Sequence, residues 1–166
     1  DANNKKIDLH IANMPMNYYA LQLVKVDNKG NVITNQEAKF YVKQQSSNPA
    51  TQGFEKGTEQ EGVSTTKGVL NITEKLLIEG THTHTYTIKE TQAPAGYQRL
   101  DGSITAKVRF SADNRINSWE AVYYDANGVN KDINLKGEFS ESTGIPTIFI
   151  YIPNDSELLE FELLKQ

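Results

Sequence analysis

Three polar side chains continue apolar stripes on predicted β-strands, and their chemical types would let them react with one another. Side chains two residues apart share one face of a strand. An amine, a carboxyl group and a carboxamide are therefore predicted to point inward. By this rule Lys25 continues the face of Leu21 and Leu23, Glu90 that of Tyr86 and Ile88, and Asn154 that of Ile148, Ile150 and Ile152.

Burying an unpaired charge is costly, so these groups must pair, lose their charge or react. In one interpretation, Lys25 and Glu90 form only a buried ion pair at the edge of the sheet. In the other, burial favours the uncharged forms, and the Lys25 amine attacks the side-chain carbonyl of Asn154. The Glu90 carboxyl would then donate a hydrogen bond to the amide oxygen and carry protons to the departing ammonia. The product is a Lys25–Asn154 amide bond.

The elements that would position these residues are strands. Period-two alternation recurs along the chain and helical periodicity is nearly absent, which predicts an all-β fold. Turn residues at 27–30, 93–96 and 125–128 separate the strands, and the last of these turns indicates a hairpin. The polar stretch 44–67 predicts a long surface loop. The predicted strands are 7–12, 20–26, 38–43, 68–73, 82–90, 103–110, 119–124, 133–139, 147–152 and 159–164.

Composition excludes several classes of function. The 166 residues carry 17 Lys and Arg against 21 Asp and Glu, scattered along the chain, so there is no basic surface for nucleic acid or anionic lipid. No apolar run approaches the roughly 20 residues needed to span a bilayer, which argues against direct membrane insertion. The chain has no cysteine, which removes disulfides, thiolate metal sites and cysteine nucleophiles.

The two ends of the chain repeat one pattern. An alternating strand ends in Asn13 and a second run reaches Lys25; near the finish, an alternating strand ends in Asn154 and a second run reaches Lys165. Asn13 and Asn154 are separated by nearly the same number of residues as Lys25 and Lys165. This fixed period predicts an array of similar units. We therefore expect residues 1–16 to be the last strand of, or the linker from, a preceding repeat. Residues 17–157 would form one complete domain, and 158–166 would begin the next repeat, although SELLEFELLKQ alone favours a helix.

Three stretches carry a family resemblance: LQLVKVDNKGNVITNQEAKFYV, then GVLNI, then YTIKETQAPAGY. In this order they resemble the collagen-adhesin B-type (CnaB-like, prealbumin-like) repeat of Gram-positive surface adhesins and pilins. The most specific run is the last, from Tyr86 to Tyr97. The resemblance covers residues 19–100 well and is thin over 101–147. It implies an antiparallel Ig-like or prealbumin-like β-sandwich, here with an enlarged C-terminal half.

The resemblance also implies a self-made crosslink. In that family an intramolecular isopeptide bond commonly joins a lysine of the first strand to an asparagine of the last, assisted by a glutamate. Position by position, Lys25 matches the lysine, Glu90 the proton-shuttling glutamate and Asn154 the acceptor. Pro153 stands where the family usually has another strand residue, so Asn134 and Asp155 remain alternative acceptors. By the same reasoning, Asn13 and Lys165 would be orphan halves of crosslinks in neighbouring repeats.

Other candidate sites are weaker. His82 and His84 share a strand face, but no third ligand is evident nearby, so no metal site is expected. Glu59 and Glu61 lie in the polar stretch and are interpreted as solvated charges rather than a glycosidase pair. Trp119 with Tyr123 and Tyr124 could stack on a sugar, yet alternation places the two tyrosines on opposite faces, so at least one belongs to the core. No cofactor is expected.

Two functional hypotheses follow. The favoured one is a structural stalk or repeat module of a cell-wall-associated surface adhesin or pilin, whose only chemistry is a single-turnover crosslink. Its partners would be neighbouring repeats, and it would be extracellular. The alternative is a binding module that contacts a host surface protein or glycan through 44–67 or 101–147. An exposed aromatic patch would favour binding, and a polar surface the stalk. A turnover enzyme is a distant third.

Overall fold

The computed structural model describes residues 18–34, 36–46, 59–64, 67–75, 82–113, 115–142 and 144–156. Over these ranges every regular element is a strand, as the alternation predicts. The nine strands are β1 (Tyr18–Asp27), β2 (Lys39–Ser46), β3 (Glu59–Ser64), β4 (Val69–Lys75), β5 (His82–Gln92), β6 (Ser103–Phe110), β7 (Ile116–Tyr124), β8 (Lys136–Ser140) and β9 (Thr147–Asn154).

The strands form the two sheets of a β-sandwich. One sheet has the strand order β4-β1-β9-β8, and the other has the order β3-β2-β5-β6-β7. The first and last strands, β1 and β9, pair in parallel, whereas the remaining pairs of named strands are antiparallel. Apolar residues from both sheets, such as Leu23 and Ile150 in one and Phe40 and Ile88 in the other, form a single buried core. The predicted all-β sandwich is confirmed.

Most predicted strands overlap an observed one, and the prediction for 103–110 matches β6. The predicted loop 44–67 is wrong at two places, because β2 continues to Ser46 and β3 occupies Glu59–Ser64. Among the described strands β3 pairs with β2 alone, at the edge of its sheet. Strand pairing uses backbone hydrogen bonds, so an edge strand forms without the apolar alternation that marks a core strand. The predicted strands 7–12 and 159–164 lie outside the described residues.

The predicted hairpin at 125–128 forms only next to its turn, and the following strand does not extend it. The turn itself forms, since the Asp125 carboxylate accepts backbone hydrogen bonds from Asn127 and Val129, both at 2.9 Å. A single bridge between Tyr124 and Asn130 follows, and the chain then crosses to the other sheet, where β8 begins at Lys136. A turn motif encodes a local reversal of the chain, but it does not specify which sheet the next strand joins.

The sandwich is closed at one side by Trp119. This residue lies on β7, at the edge of the five-stranded sheet, and its ring covers Gly137 of β8, at the edge of the other sheet. A Cβ atom on Gly137 would overlap the Cη2 and Cζ3 atoms of that ring. Glycine is therefore required at position 137 because the indole occupies the space of a side chain. Trp119 also packs against the buried core.

Candidate functional site

Lys25 and Asn154 lie on adjacent parallel strands. In the register of β1 and β9, Lys25 is opposite Ile152 and Asp27 is opposite Asn154, so Lys25 and Asn154 are diagonal neighbours on the inner face. Glu90 comes from β5 in the facing sheet, where Phe40 is its cross-strand partner. The exposed fractions of Lys25, Glu90 and Asn154 are 0%, 3% and 1%. The three inward positions predicted by alternation are therefore confirmed.

The Glu90 carboxylate lies between the other two side chains. Its Oε1 atom is 3.7 Å from Lys25 Nζ and 3.1 Å from Asn154 Nδ2. Its Oε2 atom accepts hydrogen bonds from Asn154 Nδ2 at 2.8 Å and from the backbone N–H of Leu100 at 3.3 Å. One carboxylate oxygen thus accepts a hydrogen bond from the amide nitrogen and lies 3.7 Å from the amine, so it stands between the two groups that a proton relay would connect.

The Asn154 amide is oriented by a backbone carbonyl. Asn154 Nδ2 also donates to the Gln98 carbonyl oxygen at 2.8 Å, while Asn154 Oδ1 makes no hydrogen bond to a residue that the structure describes. The expected hydrogen bond from Glu90 to the amide oxygen is therefore wrong. The reason is that Gln98 offers only an acceptor, so the NH₂ side of the amide must face it and Glu90 together.

The Lys25 amine is short of polar partners. Its Nζ atom makes no hydrogen bond within the described ranges, and it lies 5.6 Å from the centre of the Phe40 ring. Burial lowers the pKa of Lys25 from 10.5 to about 8, and the nearby Glu90 carboxylate offsets only part of that effect. Roughly one such amine in ten is uncharged at pH 7, against about one in three thousand for an ordinary lysine. The lowered pKa makes the Lys25 amine a better nucleophile at neutral pH, because a larger fraction of it is uncharged.

The alternative acceptors lie in different surroundings. Asn134 is exposed and has a positive φ of 66°, and Asp155 is exposed at the end of β9. Neither shares the buried surroundings of Lys25, whereas Asn154 contacts the same Glu90 carboxylate. The structure therefore brings Lys25, Glu90 and Asn154 together and leaves Asn134 and Asp155 at the surface. Asn13 and Lys165 lie outside the described residues, as do the proposed boundaries near 16 and 157.

The described candidates for metal and sugar binding take part in packing and hydrogen bonds of the fold. His84 is buried with its Nδ1 atom 2.7 Å from the Tyr19 hydroxyl, which also contacts the Tyr86 hydroxyl. In the part of the chain that the structure describes, no three metal-ligating side chains form a group. Tyr123 is buried and hydrogen-bonds Asp101 at 2.7 Å, as expected for a core tyrosine. The side chains of His82, Glu59 and Glu61 lie outside the described set.

Sequence reasoning missed three contributors to the site: the Gln98 carbonyl, the Leu100 N–H and the Phe40 ring. The first two are backbone groups, whose contacts no side-chain pattern reveals. Gln98 does directly follow the YTIKETQAPAGY run, so its position beside a specific motif was the one available signal. Phe40 lies in the apolar phase of β2, which predicts burial but not proximity to Lys25.

The sequence also matches a known family. The model of the family described as SpaA, prealbumin-like fold domain, matches residues 19–122, more than half of the chain. The chain belongs to this family. The matched segment includes Lys25 and Glu90 of this SpaA-type domain and ends before Asn154. No curated protein matches the chain in sequence. Within the described ranges, no helix has the length and apolar character needed to cross a membrane.

Solved pilus adhesins resemble this SpaA-type domain. SpaC from Lactobacillus rhamnosus GG, in an open conformation, is 18% identical, with a TM-score of 0.49 over 86% of this chain and 15% of that one. A C-terminal fragment of the same adhesin is 19% identical, with a TM-score of 0.47, over 86% of this chain and 46% of the fragment. RrgA from Streptococcus pneumoniae is 20% identical, with a TM-score of 0.46 over 83% of this chain and 15% of that one. The chain spans less than half of each.

Proposed function

We propose that this SpaA-type domain is a structural stalk or repeat module of a cell-wall-associated, extracellular adhesin or pilin of a Gram-positive bacterium, and that an amide bond between Lys25 and Asn154 holds it closed. The observation that carries the proposal is the Glu90 carboxylate oxygen that contacts both the Lys25 amine and the Asn154 amide nitrogen. A simple ion pair would not need the amide. Membership of the SpaA family and the resemblance to crosslinked repeats support the same reading.

The reaction is a single transamidation. Glu90 takes a proton from Lys25 Nζ, and the neutral amine attacks Cγ of Asn154, so that a Cγ–Nζ bond forms. Glu90 then passes that proton to Nδ2, the Cγ–Nδ2 bond breaks and ammonia leaves. After the attack Nζ gives up a second proton to the Glu90 carboxylate, and ammonia carries this proton away as ammonium, so that a neutral amide and an ionised Glu90 remain. Since Asn154 Oδ1 has no hydrogen-bond donor among the described residues, catalysis rests on this proton relay and on proximity. No metal or cofactor takes part.

A groove of about 580 Å³ lies beside the site and is lined in part by Glu90, Arg99 and Gly102. Ammonia would leave from the side of Asn154 that faces Glu90, past a carboxylate that is fully buried in the folded domain. Departure of ammonia makes the bond irreversible in dilute solution, because the reverse reaction needs ammonia to return to a buried carbonyl. The domain would therefore react once, on folding, and would not turn over.

Over the described residues, which leave out most of 44–67, the surface favours the stalk over the binding alternative. The large hydrophobic side chains exposed in the described part of the chain are Val32, Val129, Phe139 and Ile145, and one of them is aromatic. A glycan- or protein-binding surface usually presents a cluster of aromatic side chains. Neighbouring repeats of the same protein are the partners that a stalk requires, and the proposed domain 17–157 flanked by pieces of adjacent repeats fits that arrangement.

Intact mass tests the bond directly. The purified chain should weigh one ammonia less than its sequence, whereas Lys25→Met, Glu90→Gln and Asn154→Ala should each show the full sequence mass. Fragmentation should recover a branched peptide that joins Lys25 to Asn154. Lys29→Met, which changes an exposed lysine on the turn after β1, is the matched control and should retain the loss. If the wild-type chain has its full sequence mass, the proposed crosslink is wrong, and Lys25 and Glu90 form only a buried ion pair.

A further inference from the structure

The segment Gln98–Leu100 contacts both the acceptor and the proton relay. The Gln98 carbonyl accepts from Asn154 Nδ2 at 2.8 Å, and the Gln98 N–H donates to the Asp155 carbonyl at 2.8 Å. The Leu100 N–H donates to Glu90 Oε2 at 3.3 Å. Asn154 at the end of β9, Asp155 directly after it and the Glu90 carboxylate are thus held by backbone groups of one short segment.

Arg99 anchors that segment. Its Nη1 atom donates to the carbonyl oxygens of Glu90, at 3.4 Å, and of Leu100, at 3.1 Å. The side chain therefore ties the segment to the end of β5 without touching the reacting atoms. Tyr97, just before the segment, forms an isolated bridge with Ser156 beyond the end of β9. The segment is fixed at both ends by contacts to the strands that carry Glu90 and Asn154.

We propose that this segment makes the site select an amide over a carboxylic acid as acceptor, with Arg99 as a positioning residue. The proposal rests on the crosslink proposed above. The nitrogen of the acceptor faces three oxygen atoms, the Gln98 carbonyl and the two oxygens of Glu90. An amide points its two N–H hydrogens at them, and its nitrogen lies within 3.1 Å of all three. An aspartate carboxylate would place an oxygen against the same three, which is repulsive.

Selection for the amide also selects the leaving group. Because the NH₂ side is held against Glu90, the proton returns to the atom that must leave, and ammonia departs. With aspartate at position 154, the bond would form with loss of water only when that carboxyl is protonated and presents a donor. The reactive state of the aspartate chain therefore holds one more proton than that of the wild type. Since Lys25 and Glu90 are common to both chains, the ratio of the aspartate rate to the wild-type rate should rise as the pH falls, by up to about tenfold per pH unit.

The test compares Asn154→Asp with the wild-type chain. Both chains are assembled by chemical synthesis under denaturing conditions, so that neither has folded or reacted, then refolded by dilution between about pH 6 and pH 8 and followed by intact mass after acid quenching. We expect the aspartate chain to lose water at least about tenfold more slowly at pH 7 than the wild type loses ammonia, and we expect the ratio of its rate to the wild-type rate to increase toward pH 6. Reaction of the aspartate chain at the wild-type rate, or without that pH slope, would overturn the inference.

A second variant keeps the test decisive if the aspartate chain refolds poorly. Arg99→Met should slow ammonia loss several-fold, whereas Arg115→Met, at another exposed arginine, should not. Neither Lys25→Met/Arg99→Met nor Lys25→Met can form the bond, so the difference between their melting temperatures measures only the stability that Arg99 contributes. We expect that difference to be small, because the Arg99 side chain is exposed. If Arg99→Met slows ammonia loss and also lowers the melting temperature of the Lys25→Met chain to a matching degree, Arg99 only stabilises the fold. That result would contradict the positioning role. A wild-type chain of full sequence mass would contradict the crosslink itself. An Asn154→Asp chain that reacts as fast as the wild type would contradict only the selection of an amide over a carboxylic acid.

Discussion

Titration of Lys25 offers a test of the crosslink that is independent of mass. In a chain that cannot form the bond, such as Asn154→Ala, the Lys25 amine stays free and buried. Burial lowers its pKa to about 8 in the folded chain, whereas the unfolded chain keeps the ordinary value of 10.5. Between these values the unfolded chain binds more protons than the folded one, so the free energy of unfolding rises with pH. The destabilisation is fully present below pH 8 and is relieved toward pH 10.5.

The size of the effect follows from that difference. Over the whole window the gain is about 3 kcal/mol, and between pH 8 and about pH 9.5 it is about 1.5 kcal/mol. Urea unfolding at several pH values measures it, with Lys25→Met as the matched control, since this chain also lacks the bond but has no amine at position 25. Both chains keep every other titrating group. The difference between the two profiles therefore reports Lys25 together with its effect on the neighbouring Glu90.

The wild-type chain should behave differently from Asn154→Ala. Once the amine has become part of an amide it no longer titrates, so the wild-type profile should run parallel to that of Lys25→Met. A wild-type profile that rises like that of Asn154→Ala would mean that the amine is still free, and the crosslink would be wrong. If Asn154→Ala shows no gain relative to Lys25→Met, the amine is not desolvated in the folded chain, and the argument for an activated nucleophile fails.

Three further predictions concern stability and force. The bond closes a loop of about 130 residues, so the wild type should be about 5 kcal/mol more stable than Lys25→Met and melt about 10–20 °C higher by calorimetry; equal melting temperatures would contradict this. Gly137→Ala should cost about 1–3 kcal/mol because its Cβ overlaps the Trp119 ring, and less when Trp119→Leu is also present; additive costs in the double-mutant cycle would exclude that overlap as the cause. When pulled from both ends, the wild type should release only the chain outside Lys25 and Asn154, whereas Lys25→Ala should release nearly its full contour length. A full-length extension of the wild type would show that force is not carried by the bond.

The sequence alone determined which side chains point inward. Period-two alternation decides the face of each residue along a strand, so the burial of Lys25, Glu90 and Asn154 could be predicted without knowing which strands pair. The same patterns determined the all-β class, and the run around Glu90 indicated the family. These properties are local, because each depends on residues within one strand or one turn.

Only the tertiary structure decided how those residues meet. The parallel pairing of β1 with β9 makes Lys25 and Asn154 neighbours, and it joins strands at opposite ends of the chain. Likewise, the sheet that β8 joins and the presence of β3 depend on partners distant in sequence. The direction of the Asn154 amide is decided by the Gln98 carbonyl, a group that every residue carries and no sequence pattern marks. Contacts between distant backbone groups exist only after folding, and for this reason the face of a residue was predictable and the atom it presents was not.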